Sequence, residues 1–324
     1  MAFDVVGVGD LCMDFTAATP RIPATDMAAP LLYTTSQGGG KVPTALVALR
    51  RLGGSCTLFS TVGDDPAGRF CVQELRDAGV DVGNLVCLRG QRTNLTICLA
   101  EQETGGRSFI GKYEMRSIQP EELDRETIQG AKYLHLWSVS DASMQAADWI
   151  HEAGGRVVFD ADRFSPEFEQ ALPKIDVFIC SAFYFEGMFG ADALWDAARQ
   201  EACLRRLREM GPDIVVVTLG DKGCAGVDEA GFFAEPAYTG IQVVDSTGAG
   251  DVFHGAFLYG LLQGWRASKT ARFASAVSAI KCTALGGRAG IPDAAATEQF
   301  MRTGVIDRTL QKQWETYYAA HTLL

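Results

Sequence analysis

Val244-Asp245-Ser246-Thr247-Gly248-Ala249-Gly250-Asp251, running straight into VFHGAFLYGLLQG (252–264), is the stretch on which the reading of this chain turns. A strand at 241–244 is expected to end in a glycine-rich turn. A helix then begins, with Val252, Phe253, Ala256, Phe257 and Leu261 as its apolar face. Small residues at 248–250 let backbone N–H groups crowd a ligand and aim a helix N-terminus at it, which makes an anion hole. Asp251 falls in the first turn, where the helix dipole favours its ionised form. On spacing alone, a tight turn with a dipole-compensating Asp reads equally well.

The surroundings give the turn its context. From residue 132, runs at 133–137, 156–160, 176–180 and 214–218 read as strands. They alternate with helical patterns at 142–153, near 166–171 and at 191–210. Short strands near 224–235, helices at 249–263 and 268–284 and a polar helical tail after Pro292 complete this half. Upstream, 3–9 and 56–62 read as buried strands. Gly38-Gly39-Gly40 precedes a helix over 41–53, and 66–78 is a helix opened by Pro66. Such alternation predicts an α/β fold, a mainly parallel sheet with helices on both faces, in one domain over 1–324. Two segments break the rhythm, about 11–36 and 84–113. In the second, Thr93–Ala100 alternates with Leu95, Ile97 and Leu99 on one face, and Arg107–Ile110 follows the turn Glu103–Gly106. This reads as a hairpin whose apolar face needs cover.

Composition narrows the function classes. The 324 residues are 47% hydrophobic and 21% charged, which excludes global disorder and a collagen-like repeat. Lys and Arg number 29 against 40 Asp and Glu, a net charge of −11, and the densest basic run (Arg205, Arg206, Arg208) is interrupted. A chain that grips nucleic acid through phosphates wants a basic footprint, so no nucleic acid is expected. Nine scattered cysteines without a C-x-x-C pair point to buried thiols in a reducing cytosol. No apolar run approaches ~18 residues, and Asp4 stands where a signal peptide carries positive charge, so neither export nor a membrane span is expected. Gly106–Tyr113 has P-loop spacing but ends in Tyr and sits in a hairpin. Gly7-Val-Gly9 lacks the third glycine of a dinucleotide fingerprint. The four His offer no zinc spacing.

Over nearly its whole length the chain resembles the ribokinase-like, PfkB-type carbohydrate kinases. VDSTGAGDVFHGA (244–256) is similar to that family's C-terminal signature, and GGKVPTALVALRRLG (39–53) to its N-terminal one. FASAVSAIKCTALGGRAGIP (273–292) is similar to its helix and loop beside adenine, and 251–293 resembles the sulfofructose kinase branch. The resemblance implies a three-layer α/β/α sandwich with a small β-sheet lid from 11–36 and 84–113. It implies transfer of a phosphoryl group from ATP to a sugar hydroxyl with Mg²⁺. The apolar face of Leu95, Ile97 and Leu99 is expected to be covered either by a second lid in a homodimer or by the substrate.

Residue by residue, the resemblance makes Asp251 the catalytic base and Gly248, Ala249 and Gly250 the anion hole. Asp14, Gly39, Gly40, Lys41 and Thr44 would meet the sugar. Thr218, Gly220, Gly223, Thr247, Ser278 and Cys282 would meet the nucleotide. Glu186 would order Mg²⁺ through water, and Asp245 and Thr247 would offer oxygens to a monovalent cation, K⁺ being the candidate. Two positions depart from the pattern. Phe183 replaces the Asn of the Asn-x-x-Glu element, and Thr44 replaces an Asn that touches ribose, which argues against ribose itself. A nucleoside kinase of the same fold, a non-catalytic sugar sensor and a nicotinamide oxidoreductase are the alternatives. Asp251 speaks against the sensor, and little beyond Gly7 and Gly9 supports the last.

Overall fold

Consecutive β-branched and aromatic residues send their side chains to opposite faces of a strand, and here both faces are covered. Val5, Leu58, Val158, Ile179 and Val216 enter one apolar core. Their chain neighbours Val6, Phe59, Val157, Phe178 and Val215 enter a second core on the other side of the sheet. That is why the strands read as unbroken apolar runs. The computed structural model describes residues 2–103 and 106–321, so Thr104 and Gly105 of the expected turn lie outside it.

In chain order the first half runs β1 (Val5–Val8), β2 (Cys12–Thr19), β3 (Tyr33–Gly39), α1 (Lys41–Leu52), β4 (Cys56–Gly63), α2 (Pro66–Asp77), β5 (Leu85–Leu88), β6 (Asn94–Glu101) and β7 (Arg107–Lys112). It continues with α3 (Arg125–Gln129), β8 (Tyr133–Leu136), α4 (Asp141–Glu152), β9 (Arg156–Ala161), α5 (Pro166–Ala171), β10 (Val177–Ser181), α6 (Ala182–Phe189), α7 (Asp192–Trp195) and α8 (Ala197–Glu209). The last part is β11 (Ile214–Thr218), β12 (Cys224–Asp228), β13 (Gly231–Glu235), α9 (Ala249–Leu262), α10 (Ala267–Lys281), α11 (Ala294–Thr303) and α12 (Thr309–Ala320).

The large sheet has nine strands in the order β13-β12-β11-β10-β9-β8-β1-β4-β5. It is parallel except where β12 and β13 join antiparallel. A second, four-stranded sheet has the order β3-β2-β6-β7. Its chain leaves the large sheet after β1 and returns at α1, so the carboxyl ends of the parallel strands lie next to it. Open α/β sheets bind ligands at that edge.

Three expectations change. Leu85–Leu88 does not belong to the small sheet; it pairs parallel with β4 at the edge of the large one. The helix expected over 191–210 is broken at Asp196, which caps α8 through Arg199 N–H. The 241–244 run is no strand. Val243 and Val244 are exposed, and the N–H groups of Val244 and Asp245 donate to the Cys282 carbonyl at the end of α10. In β6 the buried face is Asn94, Thr96, Cys98 and Ala100, while Leu95, Ile97 and Leu99 are half-buried. The covered face of this strand of the small sheet therefore carries polar and small side chains.

Candidate active site

The turn Gly248-Ala249-Gly250 opens α9. Gly248 caps the helix at φ +72°, a left-handed conformation that favours glycine, and a Cβ there would lie 3.0 Å from the Gly287 backbone. No side chain caps α9; the Ala249 N–H donates to the Ser246 carbonyl at 3.2 Å, and an uncapped helix start of this kind suits an anion through its remaining donors. Asp251 follows in the first turn. Burial and the like charge of Asp160 push its carboxyl up to about 7, against the pull of the Lys41 ammonium.

Lys41 is the first residue of α1, a position the helix dipole disfavours for a cation. Carboxylates at the end of β9 hold it there: its Nζ lies 2.9 Å from Asp162 and 3.8 Å from Asp160. Against the cost of burial, Asp160, Asp251 and Asp162 hold its pKa above the ordinary value. His254, one turn along α9 from Asp251, places Nε2 3.4 Å from Asp160 and stacks on His135. Burial lowers both imidazoles, His135 to about 3, so the pair stands neutral beside the acidic cluster.

Asp14 enters from β2, where the ladder sets Cys12 opposite Gly39. A Cβ on Gly39 would lie 2.4 Å from the Asp14 carboxylate, so only glycine fits. Gly40 turns at φ +93°, and a Cβ there would lie 2.2 Å from the Asp10 carbonyl. Burial pushes Asp14 up, although the Cys12 thiol donates to its Oδ1 at 3.2 Å. Thr96, whose hydroxyl contacts that of Tyr113 at 3.0 Å, lines the same inner face of the lid.

Thr44 is turned inward. It is 2% exposed, and its hydroxyl accepts from Arg288 Nε at 3.2 Å. Arg288, fully buried, also donates to the Gly39 carbonyl at 2.9 Å and to Glu74 at 2.7 Å. The Thr44 side chain thus supports the glycine segment rather than offering its hydroxyl to a sugar. Arg288, Glu74 and Gln37, whose Oε1 accepts from the Arg288 N–H, form a buried frame behind Gly39.

Among the residues expected to meet the nucleotide, Thr218 ends β11, and its hydroxyl donates to the Cys180 carbonyl at 3.4 Å. A 3₁₀ turn at Gly220–Lys222 follows. Gly223 has φ +93°, and a Cβ would lie 2.1 Å from the Glu235 carbonyl. Ser278 donates to the Ala249 carbonyl at 2.9 Å, and Cys282 is buried at the end of α10. The Ser278 side chain braces the anion turn, and Cys282 holds the approach to it through its backbone carbonyl. Glu186 and Phe183 lie exposed on α6, Phe183 at 71%.

Two metals were expected. Among the described residues no three His, Cys, Asp or Glu side chains are grouped to hold an ion. Mg²⁺ carried on substrate phosphates keeps several waters and needs only one or two carboxylates, and an exposed Glu186 suits that. A monovalent cation at Asp245 and Thr247 does not fit. The Asp245 carboxylate already accepts from Thr247 N–H, Thr247 Oγ1 and Gly286 N–H. The carbonyls of Asp245 and Thr247 are both taken by the buried ammonium of Lys281. Asp160, Asp162, Arg288, Glu74 and Lys281 were missed in the sequence, whereas His254 is read there as a helix residue beside the site and the fallback base. The one visible signal was Lys41, a cation at the wrong end of its helix.

Known proteins place the chain by family and fold. Fructokinase-1 of Oryza sativa subsp. japonica is 29% identical over 315 residues, covering 89% of this chain and 94% of its own. The 5-dehydro-2-deoxygluconokinase of Shouchella clausii is 27% identical over 299 residues, 86% of this chain and 89% of its own. The solved structure of Arabidopsis thaliana ribokinase complexed with ribose and ATP superposes with a TM-score of 0.78 at 20% identity, covering 93% and 99% of the two chains, which shows the fold. Residues 2–294 match the pfkB family carbohydrate kinase description, and the chain accordingly belongs to that family, phosphotransferases that act on a sugar alcohol group.

Proposed function

We propose that the enzyme transfers the γ-phosphoryl group of ATP to a hydroxyl of a small carbohydrate, a ketose or modified sugar such as sulfofructose, or a ribose-like sugar, with Asp251 as general base. The observation that carries this is a carboxyl near pKa 7 in the first turn of an uncapped, glycine-led helix. Phosphoryl transfer asks for positioning and charge neutralisation more than for covalent chemistry. Asp251 takes the proton of the acceptor hydroxyl as the bond to phosphorus forms. The Gly248 and Gly250 N–H groups neutralise charge on the transferred group, while the Ala249 N–H is held by the Ser246 carbonyl. Lys41, held by Asp160 and Asp162, offsets the mutual repulsion of Asp160 and Asp251, and Asp14 accepts hydrogen bonds from sugar hydroxyls. Glu186 would order a water of Mg²⁺ carried on the phosphates, and the ion would supply charge neutralisation there. The lid closes over the sugar and excludes water, the competing acceptor. The fructokinase and deoxygluconokinase relatives support a ketose or modified sugar, and nine free cysteines support a reducing cytosol.

A coupled ADP-release screen over ketoses, aldoses, sulfosugars, sugar acids and nucleosides tests the reading. Turnover with a ketose or sulfosugar is expected. Turnover with adenosine alone would make it a nucleoside kinase, and sugar binding without ADP release would make it a sensor. Asp14→Ala removes charge-assisted hydrogen bonds worth roughly 1.5–3 kcal/mol each. The sugar KM should rise tens-fold with little change for ATP, and an unchanged sugar KM would remove Asp14 from the sugar site.

The lid is also the proposed homodimer face. Tyr33, Phe109, Ile110 and Tyr113 are 54–66% exposed there, and edge sheets with such faces invite pairing. Light scattering should give twice the chain mass; a monomer with and without sugar would discard the dimer.

A further inference from the structure

We propose that the ammonium of Lys281 is a built-in replacement for a monovalent cation, holding the turn that precedes the anion hole so that the enzyme needs no K⁺. Lys281 ends α10 and is fully buried, an environment lysine enters only when its charge is met. Its Nζ donates to the Asp245 carbonyl at 2.9 Å and to the Thr247 carbonyl. Backbone carbonyls converging on one compact positive charge are the surroundings of a bound alkali ion, with nitrogen in its place. The counter-charge is Asp245, 3% exposed, whose carboxylate is closed by Thr247 and Gly286.

The consequence for the anion hole follows from the planarity of the trans peptide. Drawing the Thr247 carbonyl toward Lys281 points the Gly248 N–H to the opposite side. The same helix end fixes the rest of the turn. Ser278 donates to the Ala249 carbonyl, and the Cys282 carbonyl accepts from Val244 and Asp245. Lys281 is thus a positioning residue for 248–250, and the inference rests on reading those residues as the phosphoryl cradle. A tethered ammonium cannot diffuse away, so the turn stays ordered whatever the salt.

The test compares the wild type and Lys281→Ala with tetramethylammonium as the only monovalent cation, or with K⁺, NH₄⁺ or Li⁺ at equal ionic strength. ADP release is followed with whichever acceptor the screen returns. Wild-type kcat should not change with the cation. Lys281→Ala should lose at least about tenfold in kcat in tetramethylammonium, as misaligned donors at an anion hole do, and K⁺ or NH₄⁺ should restore it. A second readout needs no substrate: K⁺ should raise the melting temperature of Lys281→Ala and leave that of the wild type unmoved. An error in the sugar or the base leaves this melting result untouched, so the two readings fail separately. Saturable activation of the wild type by K⁺ would overturn the proposal. So would a folded Lys281→Ala enzyme with wild-type kcat in tetramethylammonium. Should Lys281→Ala not fold, the wild-type comparison decides alone.

Discussion

Asp251→Asn is expected to lower kcat at least about a hundredfold, within the ~10²–10⁴ that general bases contribute, while ATP binding and the fold survive. The substitution keeps the side chain's size and removes the charge that accepts the proton. Its pH signature follows from the raised pKa. The base form is the carboxylate, so kcat/KM for the sugar should climb as pH rises through about 7, and the Asn variant should lose that limb. Stability moves the other way. A carboxyl raised from 3.8 to about 7 binds more protons folded than unfolded in that window, so its contribution falls as pH rises across it. Asn carries no such charge, and above neutrality the variant should melt at or above the wild-type temperature, the gap closing toward acid pH. A variant that binds ATP normally and turns over within tenfold of wild type would remove Asp251 as base. His254, buried against Asp160, is poorly placed to take over.

What was legible in the sequence is what backbone geometry dictates. Gly39, Gly40 and Gly248 stand where a Cβ would strike Asp14, the Asp10 carbonyl or the Gly287 backbone, and clustered glycines beside a helix start betray such places. The βα rhythm was legible because two cores take alternate residues of the same strands. The run at 241–244 misled because β-branched composition records fitness for a sheet and says nothing of a partner strand. The buried charges were hidden for a related reason. Lys281 in the last turn of a helix reads as ordinary dipole compensation, and Glu74 in FCVQELRD reads as the solvent face of an amphipathic helix. Only the arrival of Asp245, 36 residues away in the chain, and of Arg288, 214 away, makes them interior.

Glu74→Gln should therefore cost far more than a surface carboxylate would. Glu74 and Arg288 are 1% and 0% exposed, 2.7 Å apart, and the Tyr318 hydroxyl donates to the other Glu74 oxygen. Gln preserves the shape and an acceptor but leaves the guanidinium without its counterion. Breaking a buried pair by removing one partner typically costs ~3–5 kcal/mol. At about 2 °C per kcal/mol for a chain of this size, the melting temperature should drop by roughly 6–10 °C. A drop within about one degree of zero would show that Asp14, whose charge also reaches Arg288, suffices as counterion. Joint replacement, Glu74→Leu with Arg288→Met, separates stability from function. Apolar pairs of similar volume often restore what a broken ion pair loses, so the melting temperature should recover in part. The sugar KM should stay raised while the ATP KM does not. The Gly39 carbonyl and the Thr44 hydroxyl lose their donor in the double variant, and the segment facing Asp14 is no longer pinned.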